Sequence, residues 1–260
     1  MNRISVITIC FNNLADVQRT CASVDSQLQH PDEHWIINGS TTTDIDQWLR
    51  ETPQPAYRKW ISERDNGIAD AFTKGIHQAE GEITHLLNSG DTYASNDVLS
   101  TVAAFFQANP TIQWISGNIQ LMRGGVPVVV GKPYDPSKLY RGMRSVSHPT
   151  CFVKKAVYGR IGYFSSQWKI AMDYDLLCRL TREPYAYIPK TIAVFDDTGI
   201  SSTSYLRSLQ ETKAVYESYF GPSIKMTIWQ WRLKLLHYVL QTPLGKWLFG
   251  LKRKMGLENW

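Results

Sequence analysis

Short apolar segments typical of buried strands alternate with helical segments in the first half of the chain, and this alternation limits the fold more than any other feature. The predicted strands are Ile4 to Cys10, Trp35 to Ile37, Tyr57 to Ser62 and Ile83 to Leu87. The predicted helices are Leu14 to Gln27, Asp44 to Arg50, Ile68 to Ala79 and Asp97 to Ala108. Because such alternation builds parallel sheets with helices on both faces, we predict an α/β fold with a mostly parallel central sheet.

A polar cluster follows each of these strands. The clusters are Phe11-Asn12-Asn13, Asn38-Gly39-Ser40, Glu63-Arg64-Asp65 and Asn88-Ser89-Gly90-Asp91. A single cluster of this kind is typical of an ordinary turn. The carboxyl ends of parallel strands, however, meet at the edge of the sheet where ligands of α/β proteins bind. Clusters at successive strand ends therefore predict a binding site.

Several common active-site motifs are missing. No G-x-G-x-x-G follows the first strand, and no G-x-x-x-x-G-K-[ST], G-x-S-x-G or H-E-x-x-H occurs anywhere in the sequence. These absences argue against a dinucleotide site, a P-loop, a hydrolase nucleophile elbow and a zinc protease. A strand end bearing Asp, with more acidic residues in the second half, instead favours nucleoside-diphosphate chemistry with a divalent metal on oxygen ligands.

The cysteines form no C-x-x-C pair and have no His at metal-ligand spacing; they are Cys10, Cys21, Cys151 and Cys178. We therefore expect reduced thiols in a cytosolic setting, without disulfides or a zinc site. The sequence also lacks an apolar run of about 18 residues, so no membrane-spanning helix is expected. The N-terminal apolar segment is predicted to be a strand rather than a signal peptide.

Elements in the second half are less regular. Trp114 to Gly117 is predicted to be a strand, and Ile119 to Gly131 a hairpin that turns at Gly124-Gly125. Residues 132–147 have no clear period and form a candidate loop that closes over the site. A helix, a strand and a second helix are then predicted at Asp173 to Arg182, Tyr187 to Phe195 and Ser204 to Tyr219.

Positive charge is concentrated in the last 39 residues, 222–260, which carry a net +6, whereas the whole chain carries +5. On a helical wheel Gln230, Lys234, His237 and Gln241 share one narrow stripe, and most of the remaining positions from Ile228 to Leu240 are apolar. A second apolar face follows Thr242-Pro243 and ends in a basic run. Apolar faces rich in Trp and flanked by cations predict contact with an anionic membrane surface. The expected contacts are Trp229, Trp231, Trp247, Lys252, Arg253 and Lys254.

Two other interpretations of the tail remain open. Its helices could pack on the rest of the chain, or they could form a homodimer interface. Nucleic-acid binding is not expected, because the tail has no motif for it and its helices are too apolar.

Four segments together resemble the motifs of family 2 glycosyltransferases. They are residues 61–76 (Ile-Ser-Glu-Arg-Asp-Asn-Gly-Ile-Ala-Asp-Ala-Phe-Thr-Lys-Gly-Ile), residues 81–93, Ser147-His148-Pro149-Thr150 and Met172-Asp173-Tyr174-Asp175-Leu176. The resemblance runs from about Ile4 to Ser202. It implies the Rossmann-like GT-A fold, a nucleotide-sugar donor and inversion at the anomeric carbon. The sequence is most similar to enzymes that build bacterial surface polysaccharides of the colanic-acid kind.

The resemblance also implies roles for individual residues in the first half. Asp91 matches the last Asp of the DxD-like metal motif, for Mn²⁺ or Mg²⁺, although Gly90 stands where many relatives have Asp. Asn38 stands where the family has an Asp that contacts the base or ribose. The implied donor-binding residues are Cys10, Phe11, Asn12, Asn38, Glu63, Asp65, Asp70, Lys74, Asn88 and Ser89.

In the second half the resemblance implies that Asp173 is the general base for the acceptor hydroxyl. Asp175 lies about 200° away around the helix, so the two carboxylates should not share a role. His148 and Asp175 are candidate contacts to the acceptor or the diphosphate, and Asp196-Asp197 lie at best behind the site. The Q-x-x-R-W motif of processive members is absent, which predicts transfer of a single sugar.

The sequence therefore predicts a GT-A catalytic domain over residues 1–221 and a basic amphipathic helical tail over 222–260. Within the domain, 1–112 is expected to bind the nucleotide sugar and 113–221 the acceptor. UDP is the first expectation for the nucleotide, with GDP and dTDP as alternatives. The acceptor is expected to be a saccharide linked to polyprenyl diphosphate, at the cytoplasmic face of a bacterial inner membrane. A catalytically degenerate assembly subunit and a sugar-nucleotide nucleotidyltransferase are the alternatives.

Overall fold

The computed structural model describes residues 2–123, 126–144, 146–195 and 204–243, together with residues 245 and 247. The first half alternates strands and helices as predicted. Its elements are β1 (Ile4–Cys10), α1 (Leu14–Asp25), β2 (Glu33–Asn38), α2 (Asp44–Glu51), β3 (Arg58–Ser62), α3 (Ile68–Gln78), β4 (Ile83–Leu86), β5 (Thr92–Tyr93) and α4 (Val98–Ala108). Only the short β5 lacks a counterpart in the prediction.

The second half departs further from the predicted elements. It contains β6 (Trp114–Arg123), β7 (Val126–Val130), β8 (Phe152–Lys154), α5 (Lys155–Ile161), α6 (Met172–Leu180), β9 (Tyr185–Val194), α7 (Tyr205–Phe220) and α8 (Ile224–Gln241). The predicted hairpin is β6 and β7, and its turn at 124–125 lies outside the described residues. Strand β8 and helix α5 were not predicted, because three and seven residues are too few to show a period.

One sheet of nine strands runs through the described part of the chain, in the order β3-β2-β1-β4-β8-β6-β9-β5, with β7 paired to β6. Strands β3, β2, β1 and β4 are parallel. Strand β8 joins them to β6 through antiparallel pairs, and β6 is parallel to β9. The parallel set places four strand ends at one edge, as predicted.

Apolar side chains of the strands alternate between two core layers, because successive residues of a strand point to opposite faces of the sheet. Ile7 packs with Phe72 of α3 and with side chains of α6. Val6, its neighbour in β1, packs with Val24 of α1 and with side chains of α4. Helices therefore cover both faces, which explains why β1 carries buried apolar side chains on both of its faces.

The segment expected to be a loop, residues 132–147, is partly ordered by a 3₁₀ helix, Pro136–Arg141. The Asp135 side chain caps this helix by accepting from the Ser137 N–H at 3.0 Å, and Leu139 is buried. Tyr174 of α6 donates its hydroxyl hydrogen to the Leu139 carbonyl at 2.6 Å. The segment is thus attached to α6, a feature that composition alone could not reveal.

Helix α8 packs one face on the protein and presents another to solvent. Met226, Trp229, Gln230 and Leu233 are buried, and Trp229 is 9% exposed. The prediction that Trp229 contacts a membrane is therefore wrong in this structure, because its ring packs near Tyr140. Of the polar stripe, Gln230 is buried, Lys234 and His237 are half-buried, and Gln241 is exposed.

The opposite face of α8 is apolar and exposed. We call it the outer stripe; its members recur every three or four residues and are Ile224, Ile228, Trp231, Leu235 and Tyr238. Trp231 is 75% exposed and Trp247 is 63% exposed, whereas Lys252, Arg253 and Lys254 lie outside the described residues. No helix in the part of the chain described here is long and apolar enough to cross a membrane.

Candidate active site

A cavity of about 580 Å³ lies at the carboxyl ends of β1 to β4, and we call it the strand-end cavity. Its walls come from the four polar clusters and from the start of α3. The lining residues are Ile9, Cys10, Phe11, Asn13, Gly39, Thr41, Arg64, Asp65, Gly67, Ile68, Ala71, Asn88 and Ser89. Of the predicted donor-binding residues, the cavity thus brings together Cys10, Phe11, Asp65, Asn88 and Ser89.

Amide side chains tie the strand ends together. Asn12 adopts the left-handed conformation, with φ of +54°, and its Oδ1 accepts hydrogen bonds from the Thr41 and Thr42 N–H groups at 2.9 and 3.2 Å. Asn13 donates from Nδ2 to the Ser89 Oγ at 2.7 Å. The bonds of Asn12 join the end of β1 to the loop after β2, and the bond of Asn13 joins it to the loop after β4. These bonds hold the walls in place without a ligand.

The backbone at Gly39 comes very close to Asp65. A Cβ at position 39 would lie 1.8 Å from the Asp65 Oδ2, so a larger residue there would displace the carboxylate. Asp65 is also fixed from the other side, where its Oδ1 accepts from the Gly67 N–H at 2.9 Å. Gly39 therefore allows Asp65 to stand at the cavity wall.

Asn38 does not line the cavity, contrary to the prediction, and is 3% exposed. Its Nδ2 donates to the Ser62 Oγ at 3.2 Å, and its Oδ1 accepts from the Ser40 N–H at 3.1 Å. The amide joins β2 to β3 and shapes the turn. Asn12 likewise uses its side chain within the loop wall and not on the lining surface.

Glu63, Asp70 and Lys74 also lie outside the lining surface, and they bond one another instead. Lys74 Nζ lies 2.9 Å from the Glu63 carboxylate and 3.4 Å from that of Asp70. The hydrogen bond to Glu63 is the main cause that raises the pKa of Lys74. Asp70 accepts from the Asn66 N–H at 2.9 Å, which is the main cause that lowers its pKa. These three side chains fold the loop after β3 onto α3.

The turn after β4 contains the predicted metal ligand, Asp91, whose side chain is 2% exposed and does not line the cavity. The turn is held by α1, because the Thr20 hydroxyl donates to the Asp91 carbonyl at 2.8 Å and accepts from the Gly90 N–H at 3.0 Å. Asn88 does reach the wall. Its Oδ1 is buried, and no donor among the described residues bonds to it.

These residues can be tested against the expected metal. An amide oxygen at the wall beside a buried carboxylate forms a small set of hard oxygen donors, which suits Mg²⁺ or Mn²⁺ when a diphosphate supplies the remaining ligands. Within the described ranges, no group of three or more His, Cys, Asp or Glu side chains could hold an ion by itself. Asn88 therefore offers one oxygen at the wall to an ion that arrives with its ligand, whereas the Asp91 carboxylate belongs to the same turn but lies outside the lining surface.

Cys10 at the cavity wall is not a reactive thiol. Burial raises its pKa to about 12, and nearby carboxylates add to the shift. The thiol therefore stays protonated at neutral pH. Its role at the wall is that of a small apolar side chain.

A second cavity, of about 420 Å³, contains the predicted base, and we call it the α6 cavity. Asp173 stands in the first turn of α6, and its side chain is 33% exposed. His148 lies opposite, with its Nδ1 4.0 Å from the Asp173 Oδ2. That distance is too long for a hydrogen bond. No hydrogen bond from another described residue reaches the Asp173 carboxylate, which leaves both oxygens available.

Asp175, expected as a candidate acceptor contact, is buried and fully bonded. Its Oδ1 accepts from Trp168 Nε1 at 3.2 Å and from the Tyr219 hydroxyl at 2.8 Å, and its Oδ2 accepts from Arg179 Nη2 at 2.6 Å. Burial, followed by the bond to Asp175, raises the pKa of Tyr219 to about 12. Asp175 therefore anchors α6 to its neighbours, and the acceptor-contact assignment is corrected.

Glu211 of α7 is a positioning residue that the sequence analysis missed. Its Oε2 accepts from the N–H groups of Lys169, Ile170 and Ala171 at 3.0, 2.7 and 3.1 Å. Burial alone would raise the pKa of Glu211, but these backbone donors together with the Arg207 side chain outweigh it and lower the pKa. The bonded segment ends two residues before Asp173. Glu211 Oε1 also pairs with Arg207 Nε of the same helix at 3.2 Å. No sequence signal marks the positioning role, because the partners of Oε2 are backbone groups of another element.

The two cavities are neighbours across α3. Ala71 lines the strand-end cavity, and the adjacent Phe72 contacts the ring of His148, which lines the α6 cavity, with centroids 5.2 Å apart. The structure thus places a nucleotide-sized cavity next to one with an available carboxylate. Asp196 and Asp197, which follow the α6-cavity residue Phe195, lie outside the described residues.

The fold matches solved GT-A glycosyltransferases. A mannosyltransferase of Pyrobaculum calidifontis, solved with GDP-Man and Mn²⁺, superposes with a TM-score of 0.66 over 99% of this chain and 81% of that chain, at 14% identity. Staphylococcus aureus TarS, solved with UDP-GlcNAc, gives a TM-score of 0.62 over 88% and 70%, at 16% identity. The predicted fold class is therefore confirmed: the chain has the GT-A fold.

Sequence comparison defines the family. Residues 5–122 match the family described as glycosyl transferase family 2. An uncharacterised glycosyltransferase of Mycobacterium tuberculosis is 33% identical over 205 residues, which cover 76% of this chain and 77% of that protein. A PGL/p-HBAD biosynthesis glycosyltransferase of Mycobacterium bovis is 24% identical over 203 residues, 76% of this chain and 75% of that protein. The chain belongs to glycosyltransferase family 2, as the sequence motifs implied.

Proposed function

We propose that this glycosyltransferase moves one sugar, with inversion, from a nucleotide-sugar donor to a saccharide acceptor. The proposal includes a divalent metal at the donor and an acceptor linked to polyprenyl diphosphate, used in building a bacterial surface polysaccharide. The observation that carries it is the available Asp173 carboxylate in a cavity beside the strand-end cavity. UDP is the first candidate nucleotide, since TarS was solved with UDP-GlcNAc, and GDP follows, since the archaeal mannosyltransferase was solved with GDP-Man.

In this mechanism the strand-end cavity holds the nucleotide diphosphate and the α6 cavity holds the acceptor. Asp173 accepts the proton of the acceptor hydroxyl while the hydroxyl oxygen forms a bond to the anomeric carbon. The bond from that carbon to the diphosphate oxygen breaks on the opposite side, which inverts the configuration. Glu211 supports this step by fixing the backbone before Asp173.

The metal would be held by Asn88 and Asp91 together with the donor. When bound, a divalent cation neutralises charge on the departing diphosphate. The protein itself contributes the preformed turn, which Thr20 holds in place. Gly90 has a φ of +103°, a conformation that favours glycine.

Donor hydrolysis tests this function. We expect the purified chain to release nucleotide from one of UDP-, GDP- or dTDP-sugars, faster with Mn²⁺ than with EDTA, as measured by a coupled nucleotide assay. A matched thermal-shift series identifies the nucleotide that binds. A chain that binds a sugar nucleotide but never cleaves it would be the degenerate subunit, and release of pyrophosphate would identify a nucleotidyltransferase.

The outer stripe of α8 supports a position on the cytoplasmic face of the inner membrane. Five apolar side chains stand exposed on one helical face, and exposed cations flank it at Lys225 and Arg232. Such a face gains free energy from burial at the headgroup boundary, and anionic lipid adds about 1 kcal/mol for each nearby cation. The buried face of α8 stays on the protein, so the catalytic cavities need not open.

Substitution on the outer stripe separates membrane contact from folding. Because each exposed side chain contributes about 1.5–3 kcal/mol when it is buried, W231S/L235S should bind anionic vesicles at least about tenfold more weakly. Vesicle sedimentation measures this, with donor hydrolysis unchanged. L28S/M122S removes two exposed apolar side chains elsewhere and is the matched control. Equal sedimentation of all three proteins would contradict membrane contact through α8.

A further inference from the structure

The α6 cavity extends from Asp173 to a group of cations around Trp229. Arg141, Arg144 and Trp229 line it as well. The same three residues line a neighbouring cavity of about 340 Å³, together with Lys132, Pro133, Tyr134, Asp135 and Lys138. The two cavities therefore meet at these side chains, and a ligand in the α6 cavity can reach both.

Three guanidinium groups surround one indole ring. The Cζ atoms of Arg141, Arg144 and Arg232 lie 5.2, 5.1 and 5.1 Å from the Trp229 ring centroid. We call these three residues the arginine cluster. Cation–π attraction to the indole offsets part of the repulsion between like charges. The cluster is thus assembled on a buried ring and not scattered over a surface.

No carboxylate in the described residues neutralises the cluster. Arg141 donates from Nε to the Tyr140 hydroxyl at 3.0 Å, and none of the ion pairs found in the described ranges includes any of the three arginines. The acid on the adjoining wall, Asp135, lies 2.6 Å from Lys138 and caps the 3₁₀ helix. The charges of Arg141 and Arg144 therefore face the cavities without a described counter-ion.

The cluster is also fixed relative to the base. Tyr174, the residue after Asp173, bonds to the Leu139 carbonyl, two residues before Arg141. Tyr140 packs edge-on against Trp229, with centroids 6.3 Å apart. Helix α6, the 3₁₀ helix and α8 are therefore connected, which holds Arg141, Arg144 and Asp173 in place around one cavity.

We infer that the arginine cluster binds a phosphate or diphosphate group carried by the acceptor. Guanidinium groups match phosphate oxygens with paired hydrogen bonds, so a cluster without acids suits such a group. The strand-end cavity shares no lining residue with either cavity at the cluster, so the donor diphosphate has a separate place. The inference rests on the proposed function, because it takes the Asp173 cavity as the acceptor site.

Calorimetry with inorganic pyrophosphate in EDTA tests the site on the full-length chain. We expect R141Q/R144Q to bind pyrophosphate at least about tenfold more weakly than the unmodified protein, because charge-assisted hydrogen bonds are lost. R50Q/R182Q removes two exposed arginines away from the cluster and should bind as the unmodified protein does. R144K keeps the charge and should retain most of the affinity. If the double variant fails to fold, R144Q alone serves, since Arg144 is exposed.

Two further arms separate the sources of phosphate. Binding of UDP and GDP with Mn²⁺, and sedimentation with phosphatidylglycerol vesicles, should both be unchanged in R141Q/R144Q. Loss of nucleotide affinity would assign the cluster to the donor, and loss of vesicle binding alone would assign it to the membrane; either result overturns the inference, as does equal pyrophosphate affinity in all variants. Donor hydrolysis by the unmodified protein tests the proposed function separately. If pyrophosphate binds but no sugar nucleotide is cleaved, the acceptor assignment fails.

Discussion

Charged side chains serve different purposes in the two halves of this glycosyltransferase. In the loop after β3, Glu63, Asp70 and Lys74 bond one another and hold the wall of the strand-end cavity. Around α6 and α8, Asp173, Arg141 and Arg144 face cavities, and no oppositely charged group among the described residues lies within hydrogen-bonding distance of them. The donor half is thus preformed by internal bonds, while the second half keeps its charges available. Charge at a motif position is therefore a weaker sign of ligand contact than charge without a partner.

The largest effect should come from Asp173, the available carboxylate. Asp173→Asn should lower the rate of transfer by about 10²- to 10⁴-fold, because the acceptor hydroxyl loses its proton acceptor. Donor affinity, measured by calorimetry with UDP or GDP and Mn²⁺, should not change. If the variant transfers sugar at a rate within a fewfold of the unmodified protein, Asp173 is not the base, and a charge without a partner is not a sign of ligand contact here.

Asp175, two residues along α6, should behave in the opposite way. Asp175→Ala leaves Arg179 without its carboxylate in a largely buried position and removes the acceptor for Trp168 and Tyr219. Loss of one partner of a buried pair destabilises by about 3–5 kcal/mol. Urea denaturation measures the change in the free energy of unfolding. If the variant is as stable as the unmodified protein but uses the acceptor less efficiently, Asp175 is a substrate contact after all.

Gly39 tests how rigid the donor half is. Gly39→Ala forces the Asp65 carboxylate to move, because the added Cβ would lie 1.8 Å from its Oδ2. Misplacing the Asp65 carboxylate in this way should weaken donor binding by about ten- to hundredfold. Gly159→Ala is the control, since an added Cβ there meets no atom within 4 Å. Calorimetry of both variants shows whether Asp65 positions the donor; equal affinities would show that it does not.

The smallest effect should come from Lys74. Lys74→Met removes two partly exposed ion pairs, each of which contributes about 0.2–1 kcal/mol, so donor affinity should fall by less than about threefold. If Lys74 instead contacts the diphosphate, the loss should be far larger, because a charge-assisted bond would disappear. The nucleotide dissociation constant, measured beside a thermal melt, distinguishes a loop support from a ligand contact.

The sequence predicted the first half well because its signals are local. Buried strands such as Ile4–Cys10 and helices such as Ile68–Gln78 show their period within a dozen residues. The second half depends more on distant partners. Strand β8 is three residues long and pairs with β4 and β6, so its identity depends on residues about 40 to 70 positions away.

The sequence predicted only part of the candidate site, because the partners of the site's side chains also come from distant residues. Motif matching found the loops that form the strand-end cavity, and Asp173 lies in the second cavity as expected. It could not tell that Asn38 and Lys74 bond within the wall while Asn13 and Arg64 line it. A residue type shows which bonds a side chain can make, and only its neighbours decide which it does make.

The sequence by itself determined the family, the alternation of strands and helices, the polar strand ends and the basic apolar tail, because each of these features depends on residues that are close together in the sequence. Only the tertiary structure decided which charges are paired. In the folded chain Trp229 is buried with three arginines around its ring, whereas Trp231 is exposed. The Asp175 carboxylate is hydrogen-bonded, whereas that of Asp173 is available. These choices depend on contacts between elements far apart in the chain, whose geometry is fixed only when the whole core packs.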